Sequence, residues 1–112
     1  MADIELDGQS LTIEEAISVA NGKNTAVLAN SARSRMEESR NGVEQIIDSG
    51  QVVYGINTGF GAMSSVRIAG DDLEQLQTNL IKSHACGVGD LMNPEHVLLM
   101  MIFRANSLAK GV

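Results

Sequence analysis

Apolar and polar positions change period several times along these 112 residues, and each change marks an element. Residues 3–11 (DIELDGQSL) alternate around Asp7-Gly8, which predicts a short β hairpin or an extended arm. At Thr12 the period becomes helical. Thr12 and Glu15 stand in capping-box spacing, and Ile13, Ala16, Ile17 and Ala20 share one face until Asn21-Gly22 ends the run. A second helix is predicted from Asn30 or Ser31, with Ala32, Met36, Val43, Ile46 and Ile47 on a broad apolar face, Gly42 weakening it midway and Gly50 at its end. Its polar side pairs Arg33 with Glu37 and Arg40 with Glu44. Such pairs add roughly 0.2–0.5 kcal/mol each and describe a solvated face rather than a site.

Residues 51–70 (QVVYGINTGFGAMSSVRIAG) follow neither period. Gly55, Gly59, Gly61 and Gly70 punctuate them, while Asn57, Thr58, Ser64 and Ser65 supply side-chain hydrogen bonds. A loop of this length in a compact domain is functional or disordered, and its Tyr, Ile, Phe, Met and Val content argues against disorder. Helical spacing resumes after Asp71-Asp72, with Leu73, Leu76, Leu80 and Ile81 along one face and Gly87 and Gly89 beyond its end. The last helix opens on Asn93 as cap and Pro94 in the first turn, and is apolar on nearly every side from Val97 to Phe103. Such a helix calls for protein all around it. The elements together describe a mainly α fold, a single partial domain over residues 1–112 whose helices pack around the long Gly-rich loop 51–70, with a short N-terminal β hairpin or arm.

Composition narrows this picture. The aromatic side chains are Tyr54, Phe60 and Phe103, so aliphatics and six methionines are expected to fill the core. A net charge of −6 with eight scattered basic residues argues against nucleic acid and against an anionic membrane surface. The residues after Met1 are acidic and polar, unlike a signal peptide, and the apolar run Val97–Phe103 is too short to span a bilayer. A lone cysteine, Cys86, forms no intramolecular disulfide, and a cytoplasmic location is the expectation.

Among the residues that carry chemistry, Tyr54 stands first because it sits in the glycine-rich loop. A phenol has an ordinary pKa of about 10, so it serves as a base only where its surroundings favour the phenolate. The alternative is a Tyr54 that plugs the core with its hydroxyl satisfied. His84 lies near the end of the third helix, where a cationic or donor imidazole profits from the helix dipole; a solvated or hydrogen-bonded structural histidine is the plainer alternative. His96 is read as surface, and Cys86 as a small buried hydrophobe. No His, Cys or carboxylate spacing fits a metal, and no phosphate-loop spacing occurs.

Three blocks, VYGINTGFG at 53–61, LQTNLIKSHACGVG at 76–89 and RANSLAKG at 104–111, resemble the N-terminal part of histidine ammonia-lyases and the wider aromatic amino acid lyase family. The resemblance implies a mainly helical homotetramer that eliminates ammonia from an amino acid through a methylidene-imidazolone electrophile formed from an Ala-Ser-Gly segment. It implies that Tyr54 is the general base that removes the β-proton. Gly55, Asn57, Thr58, Gly59, Phe60 and Gly61 match the mobile loop over the active site. Ser83 and His84 match the selectivity pair, with His84 meeting the imidazole of histidine. The same pair also resembles that of some tyrosine 2,3-aminomutases. No Ala-Ser-Gly triplet occurs in the sequence. The chain alone is therefore expected to be inactive, a truncated or cleaved piece completed by the remainder of a lyase. A non-catalytic, oligomerising lyase-like module is the alternative from another class.

Overall fold

A computed structural model describes residues 2–112. They form two compact units: the described residues up to Arg40 together with Leu91–Val112, and Asn41–Asp90.

The first unit starts with strand β1 (Asp3–Leu6), helix α1 (Ile13–Ala20) and strand β2 (Thr25–Leu28). β1 pairs with β2 in parallel, Asp3 opposite Thr25 through Leu6 opposite Leu28. Parallel strands need a crossover, and α1 provides it. The extended arm expected at the N-terminus is therefore present, but its partner is β2 and not residues just past Asp7-Gly8. The reason is local. The Asp7 carboxylate accepts from the Gln9 and Ser10 amides at 2.8 Å each and from the Ser10 hydroxyl at 2.8 Å, turning the chain toward α1. There the capping box closes in full, since the Glu15 amide donates to Thr12 Oγ1 while the Glu15 carboxylate accepts from the Thr12 amide at 2.8 Å.

Helix α2 (Asn30–Ser49) opens in this unit, and α4 (Pro94–Leu108) returns to it. The α4 start is as the sequence predicts, with Asn93 Oδ1 accepting from the Glu95 amide at 2.8 Å and Pro94 in the first turn. α1 packs on α4. Leu6, Ala16 and Ile102 form one buried cluster, flanked by Leu11, Val19, Ala26 and Leu99, and Ala29, Ala32 and Ala109 form another against Leu28. Alanines let backbones approach closely but bury little area, so this core is thin. The methionines do not fill it: Met92, just before α4, and Met100 and Met101 on it are all more than half exposed, because among the described residues nothing packs on that face of α4. At the far end of α4 the Arg35 guanidinium donates to the carbonyls of Ala109 and Lys110, just past the helix end, and to that of Asp7 in the turn after β1.

The second unit holds the end of α2, the loop with 3-10 turns at Gly61–Met63 and Gly70–Asp72, and helix α3 (Leu73–His84). No helix among the described residues is long and apolar enough to cross a membrane.

Candidate active site

The loop after α2 is folded despite having no strand or long helix. Thr58 and Arg67 form an antiparallel bridge, reinforced by the Gly59 amide donating to the Val66 carbonyl at 3.0 Å and the Ile68 amide to the Asn57 carbonyl at 2.8 Å. Inside that frame Asn57 and Thr58 are 2% and 1% exposed, the most deeply buried polar side chains described. Burying an amide and a hydroxyl is tolerable only if both are satisfied. They are. Asn57 Oδ1 accepts from the Val53 amide at 2.9 Å, and its Nδ2 donates to the Gln51 carbonyl at 2.6 Å. Thr58 Oγ1 accepts from the Gly55 amide at 3.4 Å and donates to the Gly59 carbonyl at 2.9 Å.

Each of these bonds grips the backbone on either side of Tyr54. The tyrosine itself is turned out, 64% exposed, with its ring edge-on to Phe60 at 6.0 Å between centroids and 74° between planes. A core-plugging Tyr54 is thus excluded, and among the described residues no hydrogen bond ties its hydroxyl. Two glycines make the presentation possible for different reasons. Gly55, at φ +79°, takes a backbone conformation that costs other residues roughly 1–2 kcal/mol. Gly59 is held by close approach, since a Cβ there would lie 2.6 Å from Met63 Cβ and 2.8 Å from its carbonyl oxygen.

Ser83 and His84 stand elsewhere in the same unit, in the last turn of α3, and both are exposed. Ser83 Oγ donates to the Leu80 carbonyl at 2.8 Å, His84 Nδ1 lies 2.8 Å from that same oxygen, and Ser83 Oγ is 3.1 Å from His84 Nδ1. Among the described residues no hydrogen bond or ring contact joins His84 to Tyr54. Sequence reading missed the Gln51 and Leu80 carbonyls, because every residue type offers a backbone acceptor and only the fold selects one. It also expected Cys86 buried, but Cys86 is exposed. The chain from Ala85 to Leu98 lies open throughout, so nothing covers the thiol.

His96 is exposed, as read. No group of three His, Cys, Asp or Glu side chains among the described residues is arranged to hold a metal. A groove of about 610 Å³ opens elsewhere, in the first unit, lined by Met92, Val97, Met100, Met101, Arg104 and neighbours. Its lining carries no base or nucleophile, so it marks the uncovered face of α4 rather than a reaction site.

The family model for aromatic amino acid lyase matches residues 11–112. The histidine ammonia-lyase of Caldanaerobacter subterraneus subsp. tengcongensis is 48% identical over 111 residues, covering 99% of this chain. The crystal structure of histidine ammonia-lyase from Trypanosoma cruzi superposes with a TM-score of 0.88 at 38% identity, over 99% of this chain and 21% of that one. Tyrosine aminomutase from Streptomyces globisporus does so with a TM-score of 0.89 at 32% identity, over 97% of this chain and 21% of that one. The chain spans about a fifth of the length of the relatives it matches, 22% for the Caldanaerobacter enzyme.

Proposed function

The chain belongs to the aromatic amino acid lyase family, and on that premise we propose that it supplies the proton-abstracting loop of a histidine ammonia-lyase, which converts L-histidine to urocanate and ammonia. The observation that carries this reading is the pairing of a buried, fully satisfied Asn57-Thr58 frame with an outward Tyr54 whose hydroxyl is free for a substrate. Its identity of 48% to a histidine ammonia-lyase favours histidine.

In this reading Tyr54, as phenolate, takes the β-proton of the substrate, so that the C–H bond breaks, the phenol O–H forms and the electron pair left on carbon expels the amino group. Gly55, Asn57, Thr58, Gly59, Phe60 and Gly61 keep that oxygen in place, and closure of their loop over the substrate excludes water. His84, with Ser83, receives the imidazole. The methylidene-imidazolone group of the family would supply the electrophile that makes the amine a leaving group. No Ala-Ser-Gly triplet is present, and so none of these residues forms it. Residues 1–112 are then one partial domain of a homo-oligomeric, cytoplasmic enzyme, and the bare face of α4 is covered by the remainder of the lyase.

The test is a complete lyase carrying this segment, with urocanate followed by absorbance. Tyr54→Phe is expected to lower kcat by about 10²–10⁴-fold, the usual worth of a general base. Unchanged turnover would remove Tyr54 from the reaction. The likeness to a tyrosine aminomutase supports a second reading, favoured if tyrosine gives its β-amino isomer and histidine gives no urocanate.

A further inference from the structure

Three atoms meet at the end of α3, and their chemistry allows one consistent placement of hydrogens. A carbonyl oxygen only accepts, so His84 Nδ1, at 2.8 Å from the Leu80 oxygen, must carry the proton. The other neutral tautomer would set a nitrogen lone pair against an oxygen lone pair at that distance. The Ser83 hydrogen goes to the same carbonyl at 2.8 Å, which leaves a Ser83 lone pair facing Nδ1–H at 3.1 Å. All three contacts are then attractive. The bond made by one ring nitrogen fixes the state of the other, so in the neutral ring Nε2 is bare. Among the described residues no group bonds to it.

We infer that Ser83 and the Leu80 carbonyl form a positioning pair that holds His84 in its Nδ1–H tautomer, so that the ring meets a substrate through Nε2 as a hydrogen-bond acceptor and not as a donor. This rests on the lyase reading above and sharpens it. It also changes the part played by Ser83, whose hydroxyl is spent on the helix end and acts through His84 rather than on the substrate.

The tautomer is directly readable. In this chain with ¹⁵N-labelled histidine, long-range proton–nitrogen correlation well above the ordinary histidine pKa of about 6.5 distinguishes a protonated from a bare ring nitrogen. His96, exposed and without a ring hydrogen bond among the described residues, provides the solvent reference in the same spectrum. The expected result is a protonated Nδ1 and a bare Nε2 at His84. In Ser83→Ala the two nitrogen signals should move toward each other as the tautomers mix, and Ser83→Thr should restore the separation. A His84 ring protonated on Nε2, or one whose signals match His96, overturns the inference, and identical spectra for Ser83→Ala and the parent chain remove Ser83 from it. The readout needs no turnover. An Nδ1–H ring in a complete lyase that makes no urocanate would sink the histidine reading alone, and an Nε2–H ring in one that does would sink the tautomer alone.

Discussion

In the unit built on α1 and α4 the buried side chains are hydrocarbon, with Leu6, Ala16 and Ile102 in one cluster and Ala29, Ala32 and Ala109 in another; in Asn41–Asp90 the fully buried side chains are Asn57 and Thr58. Apolar burial is non-directional and tolerates small shifts, whereas a hydrogen-bonded amide fixes both distance and angle. On the role proposed for Tyr54, a segment that aims a single phenol gains more from direction than from total burial. The polar frame around Tyr54 is thus a reasonable solution for a loop that has few apolar neighbours of its own.

The largest effect should come from the apolar side. Ile102→Ala truncates one of the two large aliphatic side chains of the first cluster and is expected to cost about 3 kcal/mol, within the range of transfer plus cavity terms for such truncations. Denaturant unfolding followed by circular dichroism should report it as a lowered midpoint. A loss below about 1 kcal/mol would mean that the thin alanine core collapses around the gap and that burial here is less specific than the comparison assumes.

A smaller but more local effect is expected at Asn57. Asn57→Ala leaves the Val53 amide and the Gln51 carbonyl without their partners, a cost of about 2 kcal/mol if water cannot reach them. Hydrogen exchange at Val53 should quicken while amides of α1 stay protected. Asn57→Asp sharpens the point, since it keeps an acceptor for Val53 but sets carboxylate oxygen against the Gln51 carbonyl. If both variants exchange like the parent chain, the frame does not hold Tyr54.

How much of this was legible in the sequence depends on how far apart the partners lie. The ends of α1 and α4 were readable because Thr12 with Glu15 and Asn93 with Pro94 act within one turn. The loop was readable from its glycines and from Asn57 and Thr58 as hydrogen-bonding side chains. β2 was not, because four residues carry too little periodicity and its partner strand lies across a helix. Nor was the Arg35 tie to Ala109 and Lys110, more than seventy positions away along the chain. The methionines of α4 were misplaced for a related reason: apolarity shows that a face wants cover, and says nothing about whether these residues provide it. At the candidate site, Tyr54 was singled out by its glycine-rich setting and given its role by the resemblance, while the Leu80 carbonyl beside His84 Nδ1 has no sequence signal at all.

The smallest predicted effect concerns a solvated counterpart, in the first unit, of the buried polar frame in the second. Asp7 accepts from the Ser10 amide, the Gln9 amide and the Ser10 hydroxyl, and these bonds, in that order, lower its pKa from 3.8 to about 2. A folded-state pKa below the unfolded value means that the turn contributes stability above about 3.8 and loses it as pH falls toward about 2. Asp7→Asn cannot titrate, so its melting temperature should fall below the parent's by a constant amount near neutral pH, and that gap should close between those two values. The Asn57→Ala gap should stay flat through the same window, because neither an amide nor the backbone groups it binds change charge there. A gap at position 7 that ignores pH would show that the turn is held by shape and not by its carboxylate, and the contrast between solvated and buried polar frames would fail at that point.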